Sequence, residues 1–148
     1  MFIRDAELRD VEQIIAITHG ETNLPKWGRA EYEALLRDQS EGRTRLQVAT
    51  TDDELIAFCA AKQVADDEWE LENLFVVSGQ RRKGLARQLL SGLQASIGSS
   101  ARLYLEVREQ NHAARVLYES LGFQKTGTRK RYYREPDDDA VLYQWCSS

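Results

Sequence analysis

Glu70-Leu71-Glu72-Asn73-Leu74-Phe75-Val76-Val77-Ser78-Gly79-Gln80-Arg81-Arg82-Lys83-Gly84-Leu85-Ala86-Arg87-Gln88-Leu89-Leu90 is the stretch on which the fold turns. Up to Val77 apolar and polar residues mix as in a half-buried strand. Beyond Gly84, the residues Leu85, Leu89, Leu90 and Leu93 recur at helical spacing. The local reading is strand, short basic loop, helix. A loop that opens a helix leaves its first N–H groups without partners, and the helix dipole adds partial positive charge there. Gly84 has no Cβ and lets an anion approach the backbone closely. Arg81, Arg82 and Lys83 raise the local potential further. A solvated basic turn with a glycine for geometry is the alternative.

Outward from this stretch, Met1–Arg4 reads as a first strand. Val11, Ile14, Ile15 and Thr18 trace a helix closed by Gly20. Glu21–Trp27 is a loop, and a second helix turns Ala30, Leu35 and Leu36 inward. Leu46–Thr50 and Leu55–Ala61 are strands feeding the one at Glu68–Val77 through an antiparallel meander. After a helix at about Lys83–Ile97 come a strand at Leu103–Val107 and a helix from Asn111, with Ala114, Val116, Leu117 and Leu121 inward. Two last strands flank a turn at Pro136–Asp139. This order predicts an α/β (α+β) fold in one domain, 1–148: a mixed, mostly antiparallel sheet flanked by helices on both faces.

The net charge of −4 argues against general nucleic-acid binding. The N-terminus reads as carrying no signal peptide, and no apolar run reaches membrane-spanning length. Cys59 and Cys146 lie in strand-like apolar settings and read as buried thiols of a reducing cytoplasm. With only 2 His and 2 Cys at no ligand spacing, no metal is expected.

A second stretch carries chemistry: Leu103-Tyr104-Leu105-Glu106-Val107-Arg108-Glu109-Gln110-Asn111-His112-Ala113-Ala114-Arg115-Val116-Leu117-Tyr118-Glu119-Ser120-Leu121-Gly122-Phe123. Together with the first it resembles the GNAT family of acyl-CoA-dependent N-acyltransferases. Arg81-Arg82-Lys83-Gly84-Leu85-Ala86 is similar to that family's Q/R-x-x-G-x-G/A pyrophosphate loop. Within the family, Leu105-Glu106-Val107-Arg108, the segment around Tyr118 and Arg129-Lys130-Arg131-Tyr132-Tyr133 resemble the subgroup that acetylates the N-terminal alanine of a small-subunit ribosomal protein.

The resemblance implies Glu106 as general base and Tyr118 as general acid. It implies that acetyl-CoA is held by backbone groups of Leu74, Phe75 and Val76, by the loop Arg82, Lys83, Gly84, Leu85, Ala86 and Arg87, and by Asn111. An α-amine with a pKa of roughly 7.7–8.0 must lose a proton before it attacks, and a carboxylate can accept that proton. A phenol can protonate a departing thiolate. Asn111 also reads as a helix N-cap, and the two roles are compatible. Direct amine attack then requires no covalent enzyme intermediate. It does require a bulge or splay near Phe75 that frees backbone N–H groups for the developing oxyanion. The expected partner is a ribosomal protein N-terminus or another peptide amine, met by a cytoplasmic monomer or weak dimer that contacts neither nucleic acid nor membrane. A polyamine, an aminoglycoside or a lysine side chain is the alternative acceptor. A non-catalytic acyl-CoA sensor is a third reading, against which the pair Glu106 and Tyr118 speaks.

Overall fold

The computed structural model describes residues 1–22, 24–134 and 136–147. Strands β1 (Phe2–Asp5), β2 (Thr44–Thr51), β3 (Glu54–Ala65), β4 (Glu68–Val76), β5 (Arg102–Arg108), β6 (Gln124–Tyr133) and β7 (Asp138–Cys146) form one sheet, ordered β1-β2-β3-β4-β5-β7-β6. Among the described residues only β4 and β5 pair in parallel. The helices are α1 (Val11–Thr18), α2 (Arg29–Ser40), α3 (Leu85–Ser96) and α4 (His112–Ser120).

Alternation along β3 explains how both faces are covered. Leu55, Phe58 and Ala60 point into a cluster with Val11 and Ile14 of α1 and Tyr32 of α2. Ile56, Ala57 and Cys59 point the other way, onto Leu85 and Leu89 of α3. A near-continuous apolar strand buried on both faces is what such a central position demands. Beyond β4 the second face continues as Leu90 and Leu93 of α3, Leu103, Leu105 and Val107 of β5, and Tyr118. Arg4 clamps the start of α1 by donating twice to the buried Asp10 carboxylate, at 2.8 and 2.9 Å. Burial pushes that carboxyl up. The bonds from Arg4 and the Glu7 N–H outweigh it and hold Asp10 below the usual carboxylate range.

Several expectations change. Ala30 is exposed and Val116 is 67% exposed. Each lies two residues, hence about 200° of helical rotation, from a buried tyrosine, Tyr32 or Tyr118, that takes the inward seat. Helix α3 starts at Leu85 rather than Lys83, because Arg82 and Gly84 have left-handed φ values of 66° and 77°. Asp138 and Asp139 belong to β7, not to a turn. Cys59 is buried, whereas Cys146 is exposed at the end of β7, where the sheet runs out.

Candidate active site

The site begins where the sheet parts. Strand β4 pairs with β5 over only three residues, Glu68–Glu70 against Arg102–Tyr104. Its other flank stays in register with β3 from Leu74 to Val76, opposite Cys59 to Ala57. Leu71 lies opposite Ala61 and Asn73 opposite Ala60, so Glu72 is an extra residue in a bulge. The splay near Phe75 is thus present, and its bulge sits at Glu72.

The direction of the freed backbone groups follows from strand geometry. The Val77 N–H donates to the Ile56 carbonyl at 3.0 Å, toward β3. Backbone groups alternate in direction along a strand, so Phe75 also faces β3, while Leu74 and Val76 face the open flank. Arg81 confirms the second half: its Nε donates to the Val76 carbonyl at 3.0 Å. Of the three residues expected to offer backbone donors, Leu74 and Val76 turn theirs to the open flank and Phe75 does not. Phe75 packs its ring against Phe58.

A cleft of about 1050 Å³ fills the opening. Glu70 to Leu74 line one side and Glu106, Val107 and Arg108 the other. Asn111, Tyr118 and Tyr132–Arg134 complete the wall, with Leu24 and Pro25 from the α1–α2 loop at the mouth. Trp27, from the same loop, packs edge-on against Tyr32 and belongs to the core. A separate groove of about 630 Å³ between β1 and α2 holds none of the expected site residues.

Glu106 and Tyr118 reach the cleft from opposite faces. Leu105 and Val107 enter the cluster under α3 and α4, so Glu106 between them points to the α1–α2 face. There its Oε1 lies 3.4 Å from Arg129 Nη1. Its charge is the main reason the Tyr132 phenol is raised above its ordinary value, and it adds to the burial that pushes Tyr133 up to about 12. Tyr118 belongs to the α3–α4 cluster, edge-on to Phe123, and burial pushes its phenol up to about 12. It therefore stays a proton donor across the neutral range.

Asn111 caps α4, its Oδ1 accepting the Ala114 N–H at 3.3 Å, and the residue also lines the cleft. The loop Arg82–Arg87 lies outside that lining, at the N-terminus of α3. Lys83 Nζ donates to Gln80 Oε1 at 3.1 Å, and Arg87 donates to Ser120 Oγ of α4 at 2.7 Å. These two cations and Arg81 are tied to the protein itself, which leaves Arg82 and the amides following Gly84 as the groups available to an anion there. Among the described residues no group of His, Cys, Asp and Glu could hold a metal ion, and no helix is long and apolar enough to cross a membrane.

Two polar residues that the sequence reading did not single out also line the cleft. Glu72, in the bulge, is raised above the usual carboxylate range by burial and by the charges of Glu70 and Glu106, with Lys62 opposing. Asn73 is buried with neither side-chain polar atom bonded. The signal for both was two polar residues in succession where a central strand should alternate.

Comparison with known proteins agrees with this geometry. The model of the acetyltransferase (GNAT) family matches residues 8–123. A [ribosomal protein bS18]-alanine N-acetyltransferase of Salmonella typhimurium is 37% identical over 107 residues, covering 70% of this chain and 72% of that protein. An N-alpha-acetyltransferase RimI of Mycobacterium tuberculosis is 41% identical over 73 residues, covering 49% of this chain and 46% of that one. The crystal structure of the Escherichia coli ribosomal-protein-S18-alanine N-acetyltransferase superposes with a TM-score of 0.84 at 31% identity, covering 99% of this chain and 94% of that one. The matched family model and the Salmonella typhimurium relative, covered over more than two thirds of its length, lead to one assignment: the chain belongs to the acetyltransferase (GNAT) family.

Proposed function

We propose that this chain acetylates the α-amine of a protein N-terminus, with the N-terminal alanine of a small-subunit ribosomal protein as the acceptor that its relatives' names suggest. The observation that carries the reading is the placement of Glu106 and Tyr118 on opposite faces of one opening. Acetyl-CoA supplies the acyl group as an activated thioester. The amine enters from the α1–α2 face, where Glu106 accepts its proton. One of the Leu74 and Val76 N–H groups donates to the acyl oxygen as charge develops on it, and the other, roughly 6.7 Å further along the strand, donates to an amide carbonyl of the pantetheine arm. From the other face Tyr118 gives its proton to the departing sulfur and recovers one from solvent. Amides at the start of α3 hold the pyrophosphate, and Asn111 Nδ2 donates to the same ligand.

The fit to such a ligand rests on the protein's own groups. A strand flank without a partner and a glycine-opened helix N-terminus are both donor-rich, and β4 leads into the second through one short loop. A panel of N-terminal peptides and small amines, assayed for free CoA, tests the proposal. Turnover is expected with an alanine-initiated basic peptide and not with spermidine. Efficient spermidine turnover without peptide activity would overturn it.

A further inference from the structure

Asn73 is the most unusual polar group in the protein. It is 4% exposed and lines the cleft, yet neither Oδ1 nor Nδ2 has a hydrogen-bond partner. Among the described residues the only other buried side-chain atom in that condition is Gln47 Oε1. Burying an amide without partners is unfavourable, and native proteins keep such groups where something else bonds them.

The face of the sheet on which Asn73 lies indicates what that partner is. Asn73 stands opposite Ala60, whose side chain joins the cluster under α1 and α2. Directly opposed residues share a face, so Asn73 projects with Glu106 and away from Tyr118. The unpaired amide is therefore on the side where the amine arrives. It carries one donor and one acceptor group side by side, complementary to the N–H and C=O of a single residue in an extended chain, which point to the same side. An alkylamine or polyamine has no carbonyl to offer it. Beside Asn73, the bulge at Glu72 re-aims the strand toward the same opening.

We propose that Asn73 is a specificity-determining residue that binds the main chain of the acceptor's second residue, Oδ1 accepting its N–H, which belongs to the first peptide bond, and Nδ2 donating to its carbonyl. This rests on the peptide α-amine reading above and names the feature of the acceptor that the enzyme recognises. A site built to bond such a group discriminates strongly against analogues that leave its polar atoms unpaired.

The test compares three acceptors: an alanine-initiated peptide, the same peptide with its first amide replaced by an ester, and isopropylamine. Wild type is expected to prefer the peptide over the ester by roughly tenfold or more in kcat/KM. In Asn73→Leu that ratio is expected to fall to about threefold or less, with KM for acetyl-CoA unchanged. Thermal melting and circular dichroism check the fold. If Asn73→Leu folds poorly, Asn73→Ser gives the same reading, since a short hydroxyl cannot span both groups. An unchanged peptide-to-ester ratio in the folded variant overturns the proposal, as does a raised KM for acetyl-CoA with peptide preference intact. Wild-type turnover of isopropylamine but of no peptide overturns the peptide reading itself and this proposal with it.

Discussion

Glu106 and Tyr118 line the same opening from opposite faces of the sheet, one beside Arg129 and the other packed against Phe123 and Tyr143. Because Tyr118 is buried apart from Glu106, its removal is separable from substrate binding. Tyr118→Phe is expected to lower kcat by roughly 10²-fold with acetyl-CoA affinity near wild type, measured by steady-state kinetics and by calorimetry. An unchanged kcat would remove Tyr118 as the acid.

Under the proposed role of Glu106, replacing it shifts the burden onto the acceptor's own ionisation. Glu106→Gln is expected to lower kcat/KM by about 10²-fold near neutral pH. Its rate should then climb as pH rises through roughly 7.7–8.0, where a free α-amine becomes available unaided. A pH–rate series from 6 to 9.5 on one peptide measures this. A flat profile in the variant would contradict the role.

Gly84 opens α3 at φ 77° with no heavy atom within 4 Å of where a Cβ would stand. Substitution there meets strain without a clash. Gly84→Ala is expected to cost about 1 kcal/mol of stability through the left-handed backbone and to raise KM for acetyl-CoA, because a methyl group intrudes where the anion approaches. Peptide KM should stay constant. A drop in stability with unchanged acetyl-CoA kinetics would show that the loop holds no phosphate.

Alkaline stability follows from two buried protons. Burial pushes the Cys59 thiol from 9.0 to about 12 and the Tyr118 phenol from 10.0 to about 12. Below about pH 8 folded and unfolded chains both keep these protons, so neither group makes stability depend on pH there. Between about 9 and 12 the unfolded chain loses them first, and stability falls as pH rises, by up to about 1.4 kcal/mol per pH unit for each group. Urea midpoints at pH 8, 9.5 and 10.5 should decline, and Cys59→Ala should flatten part of that decline. A constant midpoint would show that these groups titrate alike in both states.

What the sequence disclosed was local. Strand β4, the basic loop and α3 follow from periodicity and one glycine within about twenty residues. Glu106 and Tyr118 came from a resemblance, since spacing alone leaves each an ordinary strand or helix residue. The inward assignments of Ala30 and Val116 failed because Tyr32 and Tyr118 were not read as core residues, although an aromatic ring can bury its body and keep its hydroxyl bonded. The parting after Glu70 depends on how β5 lies beside β4, across a helix and a loop, and no periodicity within either strand records it. Glu72 and Asn73 were visible as a break in alternation, but their meaning requires the bulge and the face on which Asn73 lies.

The short pairing of β4 with β5 gives this sheet four edges instead of two: the outer flanks of β1 and β6, and two inner ones facing each other across the cleft. Open edges invite other chains to pair with them. The inner pair is protected by its shape, because neighbouring strands stand about 4.8 Å apart and an intruding strand needs roughly twice that distance. Close to Glu70 the wedge is too narrow to admit one. Near its mouth Arg81 already occupies the Val76 carbonyl, and the turn after β6 is fastened across by Arg108, which donates to the carbonyls of Arg134 and Pro136. The exposed backbone of the cleft is thereby kept from becoming a seed for aggregation.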